Sequence, residues 1–258
     1  MNKTINLNAD LGESFGAWKM GEDEALLQVV RSANIACGFH AGDPLVMRHT
    51  VRTALAAGVS LGAHPAYPDL QGFGRRPMKM APAELEAMII YQVGALAGMA
   101  AAEGGRVTHV KPHGALNNQA CEDAALADAV ARAVKAIDPG LILLAPVLSE
   151  LHQAGERARL KVAGEIFADR AYTDKGTLVP RGQPGAVIHD HDELVAHVLR
   201  MLDAGGVVSQ SGTCLPAAMD SICVHGDTLG AVDSARRLRA ALEARGWQVV
   251  ALPALAGA

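Results

Sequence analysis

Short apolar runs alternate with longer helical segments along almost the whole chain, and this alternation constrains the fold more than any other feature. The apolar runs are predicted strands, and the first two are Thr4–Asn8 and Ser32–Ala36. Asp43 and Pro44 provide an N-cap and an N-terminal proline for a helix over Leu45–Ala57. Strands that alternate with helices in this way favour a parallel sheet.

The same pattern predicts further elements. The remaining strands are Val59–Ala63, Val107–Val110, Leu141–Ala145, Val162–Phe167, Ser221–Val224 and Gln248–Leu252, and the remaining helices are Pro82–Glu103, Glu122–Ile137, Asp192–Asp203 and Thr228–Arg245. Roughly seven or eight βα units result, which is the number that closes a barrel of TIM type. An open doubly wound sheet fits the periodicity equally well. We expect residues 1–258 to form one domain, with the Gly- and Pro-rich segment Thr173–Gly185 as a loop over a site.

Charge and cysteine content narrow the class of protein. The formal net charge of −4 offers no basic field for nucleic acid or anionic lipid, so neither is an expected partner. No signal peptide and no uninterrupted apolar stretch of about 18 residues is evident. The four cysteines lack metal-ligand spacing and are expected to be free thiols, which indicates a cytoplasmic protein. They are Cys37, Cys121, Cys214 and Cys223.

Polar side chains recur at the carboxyl ends of successive predicted strands. A parallel strand that is buried on both faces should be apolar, so these residues need another explanation. Counting with a period of two puts three sets on common faces: Asn6, Asn8 and Asp10; Asn34 and His40; His109, Lys111 and His113. Both barrels and open α/β sheets place their active sites at this edge, so we expect one polar mouth.

Each candidate also has a structural interpretation. Asp10 continues a polar strand face, which favours a functional role, whereas Glu13 is explained equally well as a helix cap or a surface carboxylate. His40 has no local structural task, and His64 ends a predicted strand before an irregular loop. Arginines after such a loop are usually solvated, although a guanidinium can also bind a carboxylate. The arginines concerned are Arg75 and Arg76.

The segment VKPHGALNN carries the most specific local signal. Its Lys111, His113 and Asn117 combine a cation, an imidazole and an amide. Two later segments at strand ends add Glu165, Asp169, Arg170, His225 and Asp227, of which Asp227 is adequately explained as a helix cap.

One possible metal-binding motif is weak, and several familiar catalytic and nucleotide-binding motifs are missing. The run HDHDE at residues 189–193 could bind a metal, but its acids are better explained as caps of the following helix. The sequence has no P-loop, no GxGxxG after the first strand and no GxSxG elbow. A standard ATP or NAD cradle and serine hydrolase chemistry are therefore not expected.

Together the motifs resemble the LamB/YcsF family. They are NADLGESFG, ANIACGFHAGDP, GAHPAYPDLQGFGRR, VKPHGALNN, EIFADRAYTDKGTLVPR and VHGDT, in order from Asn8 to Thr228. The one departure is Asn118, where an aromatic residue is expected. The resemblance implies a distorted seven-stranded (βα) barrel similar to the glycoside hydrolase/deacetylase superfamily. It also implies ATP-dependent hydrolysis of 5-oxoproline to L-glutamate by a complex with subunits B and C, with ATP as co-substrate.

For such a reaction, we expect Asp10 or His64 to activate water, His113 to protonate the departing nitrogen and Lys111 to stabilise the oxyanion or a phosphorylated oxygen. The residues expected to bind substrate are Asn8, Glu13, His40, Asn117, Glu165, Arg170 and His225. Two alternatives remain open. Asp10, His64 and His113 could instead hold a divalent metal in a deacetylase-like hydrolase, or the chain could bind substrate for its partners without transforming it.

Overall fold

The computed structural model describes residues 3–224 and 230–255 of the chain. The described strands are β1 (Lys3–Leu11), β2 (Ser32–Ala36), β3 (Ser60–His64), β4 (Val107–Val110), β5 (Ile142–Pro146), β6 (Lys161–Phe167), β7 (Gly206–Val208), β8 (Cys214–Pro216), β9 (Ser221–Val224) and β10 (Trp247–Val250). The described helices are α1 (Asp23–Leu27), α2 (Pro44–Ala56), α3 (Pro82–Ala102), α4 (Gly114–Glu122), α5 (Ala124–Ile137), α6 (Glu150–Arg157), α7 (His191–Ala204) and α8 (Ala231–Ala244).

Seven parallel strands close into a barrel. The strand order is β1-β2-β3-β4-β5-β6-β9, and β9 closes the ring because it pairs with both β6 and β1. β10 pairs with β1 over Lys3–Asn6 and adds an eighth strand to the sheet beside the ring. β7 and β8 form a separate antiparallel pair. The predicted distorted seven-stranded (βα) barrel is confirmed, and the open doubly wound sheet is excluded.

Helix caps account for two of the sequence motifs. As predicted, Asp43 caps α2, where its Oδ1 accepts hydrogen bonds from the backbone N–H groups of Leu45 (2.8 Å) and Val46 (3.1 Å). Asp190 does the same for α7 through the N–H groups of its second and third residues, at 3.0 and 2.8 Å. The acids of the HDHDE run therefore serve the helix, and no described residue of this run belongs to a cluster of potential metal ligands.

The segmentation of the helices differs from the prediction in the middle of the chain. The predicted helix Glu122–Ile137 is wrong at its start, because Asp123 has an extended backbone and separates α4 from α5. Its carboxylate accepts hydrogen bonds from the N–H groups of Ala125 and Leu126 and so begins a new helix. α1, α4, α6 and the β7–β8 pair were not predicted. The last strand was predicted as Gln248–Leu252 but ends at Val250, because a 3₁₀ helix begins at Leu252.

Polar side chains fill part of the barrel interior. Asn8 in β1 donates to Glu165 Oε1 in β6 at 3.0 Å, although β9 lies between these strands, so the bond runs across the inside of the ring. Likewise, His109 in β4 donates through Nε2 to Asn34 Oδ1 in β2 at 3.1 Å, past β3. Its ring occupies the space above Gly62, where a Cβ atom would lie 2.1 Å from Nε2. The polar strand faces predicted from the sequence thus form a hydrogen-bonded layer beneath the mouth of the barrel.

Helix α3 is long and apolar enough to cross a membrane by length and composition alone. One of its sides is buried, with Leu85, Ile89, Val93 and Leu96 each no more than 2% exposed. Packing of this kind is also typical of a core helix.

Candidate active site

A cavity of about 420 Å³ opens at the carboxyl ends of the barrel strands. Six of the predicted site residues line it: Asp10, His64, Lys111, His113, Asn117 and Arg170. Asp10 lies near the end of β1, His64 ends β3, and Lys111 directly follows β4. Because all strands of the ring run in the same direction, these positions meet at one mouth, as predicted.

Lys111 is the centre of a buried ionic cluster. Its ammonium nitrogen lies 3.0 Å from Asp10 Oδ1, 3.0 Å from Glu165 Oε1 and 3.0 Å from Cys223 Sγ, and the residue is only 2% exposed. Burial alone would lower the pKa of Lys111, but Asp10, Cys223 and Glu165 together raise it well above its usual value. Burial also raises the pKa values of Glu165 and of the Cys223 thiol. Lys111 is therefore a fixed cation next to the Asp10 carboxylate.

Two histidines meet at the floor of the cavity with their lone pairs facing each other. His64 Nδ1 donates to the carbonyl oxygen of Lys111 at 2.6 Å, and His113 Nε2 donates to the carbonyl oxygen of Phe73 at 2.8 Å. These bonds use the one proton that each neutral ring carries. His64 Nε2 and His113 Nδ1 then have no proton of their own, yet they are 3.0 Å apart. A cation or an extra proton is needed between them.

Burial, followed by the neighbouring His64, lowers the pKa of His113 well below its usual value, which disfavours an extra proton on this ring. Carboxylates complete the arrangement, with Asp10 Oδ2 3.3 Å from His64 Nε2 and Glu13 Oε1 3.6 Å from His113 Nδ1. Ligands about 2.0–2.1 Å from a tetrahedral metal are about 3.3 Å from one another. The donor atoms of Glu13, His40, His64 and His113 all lie within 4.8 Å of one another, so this buried cluster can hold a metal ion.

His40 supports this cluster from behind. Its ring stacks on that of His113 with centroids 3.8 Å apart, and its Nε2 lies 3.2 Å from Glu13 Oε1. Burial, followed by the charges of His113 and His64, lowers the pKa of His40 well below its usual value, so the ring is neutral. Its Nδ1 is buried without a hydrogen-bond partner in the described part of the chain. His40 lies in the loop after β2, which ends at Ala36, so the face count that paired His40 with Asn34 did not apply.

The predicted substrate-binding residues fall into three groups. Asn117 and Arg170 line the cavity. Four others lie behind the cavity wall: Asn8, Glu13, His40 and Glu165. Glu13 and His40 contact His113, and Glu165 contacts Lys111. Asn8 belongs to the hydrogen-bonded layer below, where it contacts Glu165. His225 lies outside the described residues, as does Asp227.

Some of the residues that line the cavity were not chosen from the sequence. Arg75 lines it and is exposed, in keeping with the solvated role that was favoured, and Arg76 contacts Asp69 through its guanidinium. Arg181 and Cys121 line it as well. The loop predicted to cover a site does so, because residues 176–181 form part of the cavity wall. Arg75 and Arg181 lie in two different loops and are both exposed, so no sequence pattern separates them from other surface arginines.

Comparison with known proteins places the chain among close relatives. Residues 5–257 match the LamB/YcsF family. The A subunit of 5-oxoprolinase from Azoarcus sp. (strain BH72) is 80% identical over 249 residues, which are 96% of this chain and 97% of that protein. The crystal structure of a lactam utilization protein from Thermus thermophilus is 44% identical, with a TM-score of 0.91 over 96% of this chain and 100% of its own.

The fold extends to a more distant solved structure. The family 4 carbohydrate esterase from Streptomyces lividans, in complex with acetate, has a TM-score of 0.50 at 15% identity, covering 96% of this chain and 92% of its own. This likeness concerns the barrel alone.

Proposed function

The chain belongs to the LamB/YcsF family, and we propose that it is the 5-oxoprolinase subunit in which water opens the cyclic amide of 5-oxoproline to give L-glutamate. In this proposal the reaction depends on ATP and on partner subunits B and C, and it takes place in the cytoplasm. The names of the Azoarcus and Thermus thermophilus relatives support a lactam as substrate and a complex of several subunits. The absence of disulfides among the four cysteines agrees with a reducing compartment.

The observation that carries the proposal is the group of reactive side chains at the floor of the cavity. Asp10, His64, Lys111 and His113 supply a carboxylate, a fixed cation and two imidazoles around one small volume. Hydrolysis of an amide requires a base for water, a stabilised oxyanion and an acid for the leaving nitrogen. All three requirements can be met here by side chains that touch the cavity.

Each of these side chains has a step in the proposed reaction. Asp10 or His64 accepts a proton from the attacking water, and the Lys111 ammonium group lies 3.0 Å from Asp10 Oδ1. Lys111 stabilises the negative charge that develops on the lactam oxygen, or a phosphoryl group carried by that oxygen. The proton taken from water passes to His113 Nδ1, which lies 3.0 Å from His64 Nε2, and His113 delivers it to the ring nitrogen as the C–N bond breaks. Ring opening leaves a carboxylate at one end and an amine at the other, which is L-glutamate.

The residues also fit a divalent metal. The facing nitrogen atoms of His64 and His113 have carboxylate oxygens of Asp10 and Glu13 next to them, at distances expected between ligands of one ion. Asp10, His64 and His113 would hold the ion, with Glu13 next to them. A bound metal would supply a Lewis acid beside the scissile carbonyl. Neutral imidazoles, which burial favours at His40 and His113, are the form that binds metals.

We expect the chelator-treated chain to bind about one Zn²⁺ or Mn²⁺ per molecule at neutral pH, as measured by calorimetry and elemental analysis. His64→Ala should weaken binding by at least about tenfold, since it removes one donor of the cluster. His49→Ala is the matched control, because His49 has a side chain that is 65% exposed and lies outside the cluster. If the unmutated chain binds neither ion, a shared proton rather than a metal separates the two rings.

We expect the chain alone, given ATP and 5-oxoproline, to release neither phosphate nor glutamate at a useful rate, and addition of subunits B and C to restore both. The sequence has no P-loop or kinase-like glycine loop, so activation of the lactam oxygen by ATP is assigned to the partners. Product release is measured for each combination of subunits, with Asp10→Asn as the control for contaminating enzymes. Full turnover by the chain alone, lost in Asp10→Asn, would refute the partner requirement. Binding of 5-oxoproline with full turnover by complexes carrying Asp10→Asn and, separately, His64→Ala would favour a chain that only presents the substrate.

A further inference from the structure

A folded loop forms one wall of the cavity, and we call its residues 173–185 the flap. Thr173 and Thr177 close a turn within it, with a 2.8 Å bond from the N–H of Thr173 to the carbonyl of Thr177 and their hydroxyl oxygens 2.9 Å apart. At its base, Ala171 pairs through the backbone with Ala186 and Val179. The flap is therefore anchored at both ends and presents residues 176–181 to the cavity.

Arg170 lies at the base of the flap and holds it with two of its donor groups. Its Nη2 donates to the carbonyl oxygen of Val179 at 2.7 Å and its Nε to that of Ala186 at 3.3 Å. The residue is only 6% exposed and lines the cavity. Its Nη1 has no hydrogen-bond partner within residues 3–224 and 230–255. The Arg170 guanidinium is thus nearly buried, lines the cavity and still has N–H groups that can donate to a ligand there.

Two more guanidinium groups share this cavity. Arg181, on the flap, and Arg75, after β3, both line it. Burial, then the charge of Arg181 and to a smaller extent that of Arg75, lower the pKa of Arg170, while Asp169 offsets part of this effect. The charges of Arg75 and Arg181 thus reach Arg170, and an anion bound at Arg170 would be attracted by all three guanidinium groups. The planar fork of a guanidinium matches a carboxylate in particular.

We propose that Arg170, flanked by Arg75 and Arg181, binds the carboxylate of the substrate, so that the cavity selects cyclic amides that carry a carboxylate beside the ring nitrogen. This inference rests on the proposed function, because it assigns one end of the lactam to the arginines and the other to Lys111 and the histidines. The cavity then has two ends with different tasks. The arginine end binds and orients the ring, and the end with Asp10, His64 and His113 opens it.

The test compares 5-oxoproline with 2-pyrrolidinone, which has the same lactam ring without the carboxylate. For the assembled complex we expect kcat/KM for 5-oxoproline to exceed that for 2-pyrrolidinone by about 10³-fold or more, because an unfilled charged subsite rejects the smaller ligand. Arg170→Met should reduce this ratio to less than about tenfold, and Arg170→Lys should give an intermediate ratio because it keeps the charge without the fork.

Two further variants separate recognition of the carboxylate from support of the flap. Thr173→Val removes a hydroxyl contact of the flap but no cation, so it should change the values for both lactams by the same factor. Arg181→Met leaves both bonds of Arg170 to the flap in place and should still lower the ratio for 5-oxoproline. A ratio that stays unchanged in Arg170→Met and in Arg181→Met would overturn the proposal.

Calorimetry with the isolated chain keeps this test independent of turnover. We expect 5-oxoproline to bind more tightly than 2-pyrrolidinone, with the difference lost in Arg170→Met. If the complex hydrolyses neither lactam but this difference in binding remains, the proposed function fails and the subsite stands. Inorganic phosphate is titrated in parallel as the other anion that guanidinium groups take. Binding of phosphate that depends on Arg170, without comparable binding of 5-oxoproline, would assign the subsite to a phosphoryl group and overturn the carboxylate assignment.

Discussion

Replacing Lys111 by Met should lower the free energy of unfolding by about 3–5 kcal/mol, the usual cost of removing one partner from a buried ion pair. The loss follows from what remains behind. Asp10 and Glu165 both lie 3.0 Å from the ammonium nitrogen, and Glu165 is fully buried. Without the cation, two neighbouring carboxylates would have to be buried together or one of them would have to take up a proton. Denaturant unfolding monitored by circular dichroism measures the change.

A double variant distinguishes this electrostatic cause from lost packing. Lys111→Met combined with Glu165→Gln removes one of the two carboxylate charges and should recover part of the lost stability, because the two sites are in contact and their effects are not additive. Lys79→Met is the matched control, since Lys79 is exposed, and its effect should stay within about 0.5 kcal/mol. A loss in Lys111→Met no larger than in the control would show that the cluster contributes little to stability.

Much of the fold could be predicted from the sequence because its signals are local. Each strand of the barrel is an apolar run bounded by turn residues, and Asp43 followed by Pro44 marks a helix start through its own hydrogen bonds. The break at Asp123 illustrates the limit. The residues on both sides of it are good helix formers, and only the cap that the Asp123 side chain forms for α5 separates two helices there.

The floor of the candidate site could also be anticipated, for a physical reason. Polar residues cannot occupy a buried parallel strand without a partner, so Asp10, His64 and Lys111 stand out against the apolar pattern of their strands. The structure brings these three within hydrogen-bond distance of one another.

The arginine end of the cavity could not be anticipated in the same way. Arg75 and Arg181 belong to loops, where arginine is common and usually solvated, and their approach to Arg170 depends on how the flap folds back. The facing lone pairs of His64 and His113 are hidden from sequence as well. They follow from two bonds to backbone carbonyls, those of Lys111 and Phe73, and no side-chain pattern in the sequence shows where a backbone carbonyl points.

Asp10→Asn should lower glutamate release by the assembled complex by about 10²–10⁴-fold while leaving the fold intact, because it removes an acid–base group and little else. Asn has nearly the same shape, and its carbonyl oxygen can still accept the bonds that Asp10 Oδ1 receives from Asn34 (2.9 Å) and Lys111 (3.0 Å). What disappears is the charge, together with the second oxygen 3.3 Å from His64 Nε2. Catalysis should therefore suffer far more than stability.

Turnover of 5-oxoproline, denaturant unfolding and co-elution with subunits B and C are measured on the same preparation. Asp233→Asn is the control, because its side chain is 67% exposed, and it should match the unmutated chain. Because the His64 ring keeps its bond to the Lys111 carbonyl, His64 stays in place and a loss of rate reports on the carboxylate itself. If His64 alone activates water, Asp10→Asn retains activity within about tenfold of the unmutated complex, and His64→Ala abolishes it. If both variants fold, assemble and still release glutamate at the full rate, the reaction is carried out by residues elsewhere in the complex, and the buried cluster around Lys111 serves the structure of the barrel only.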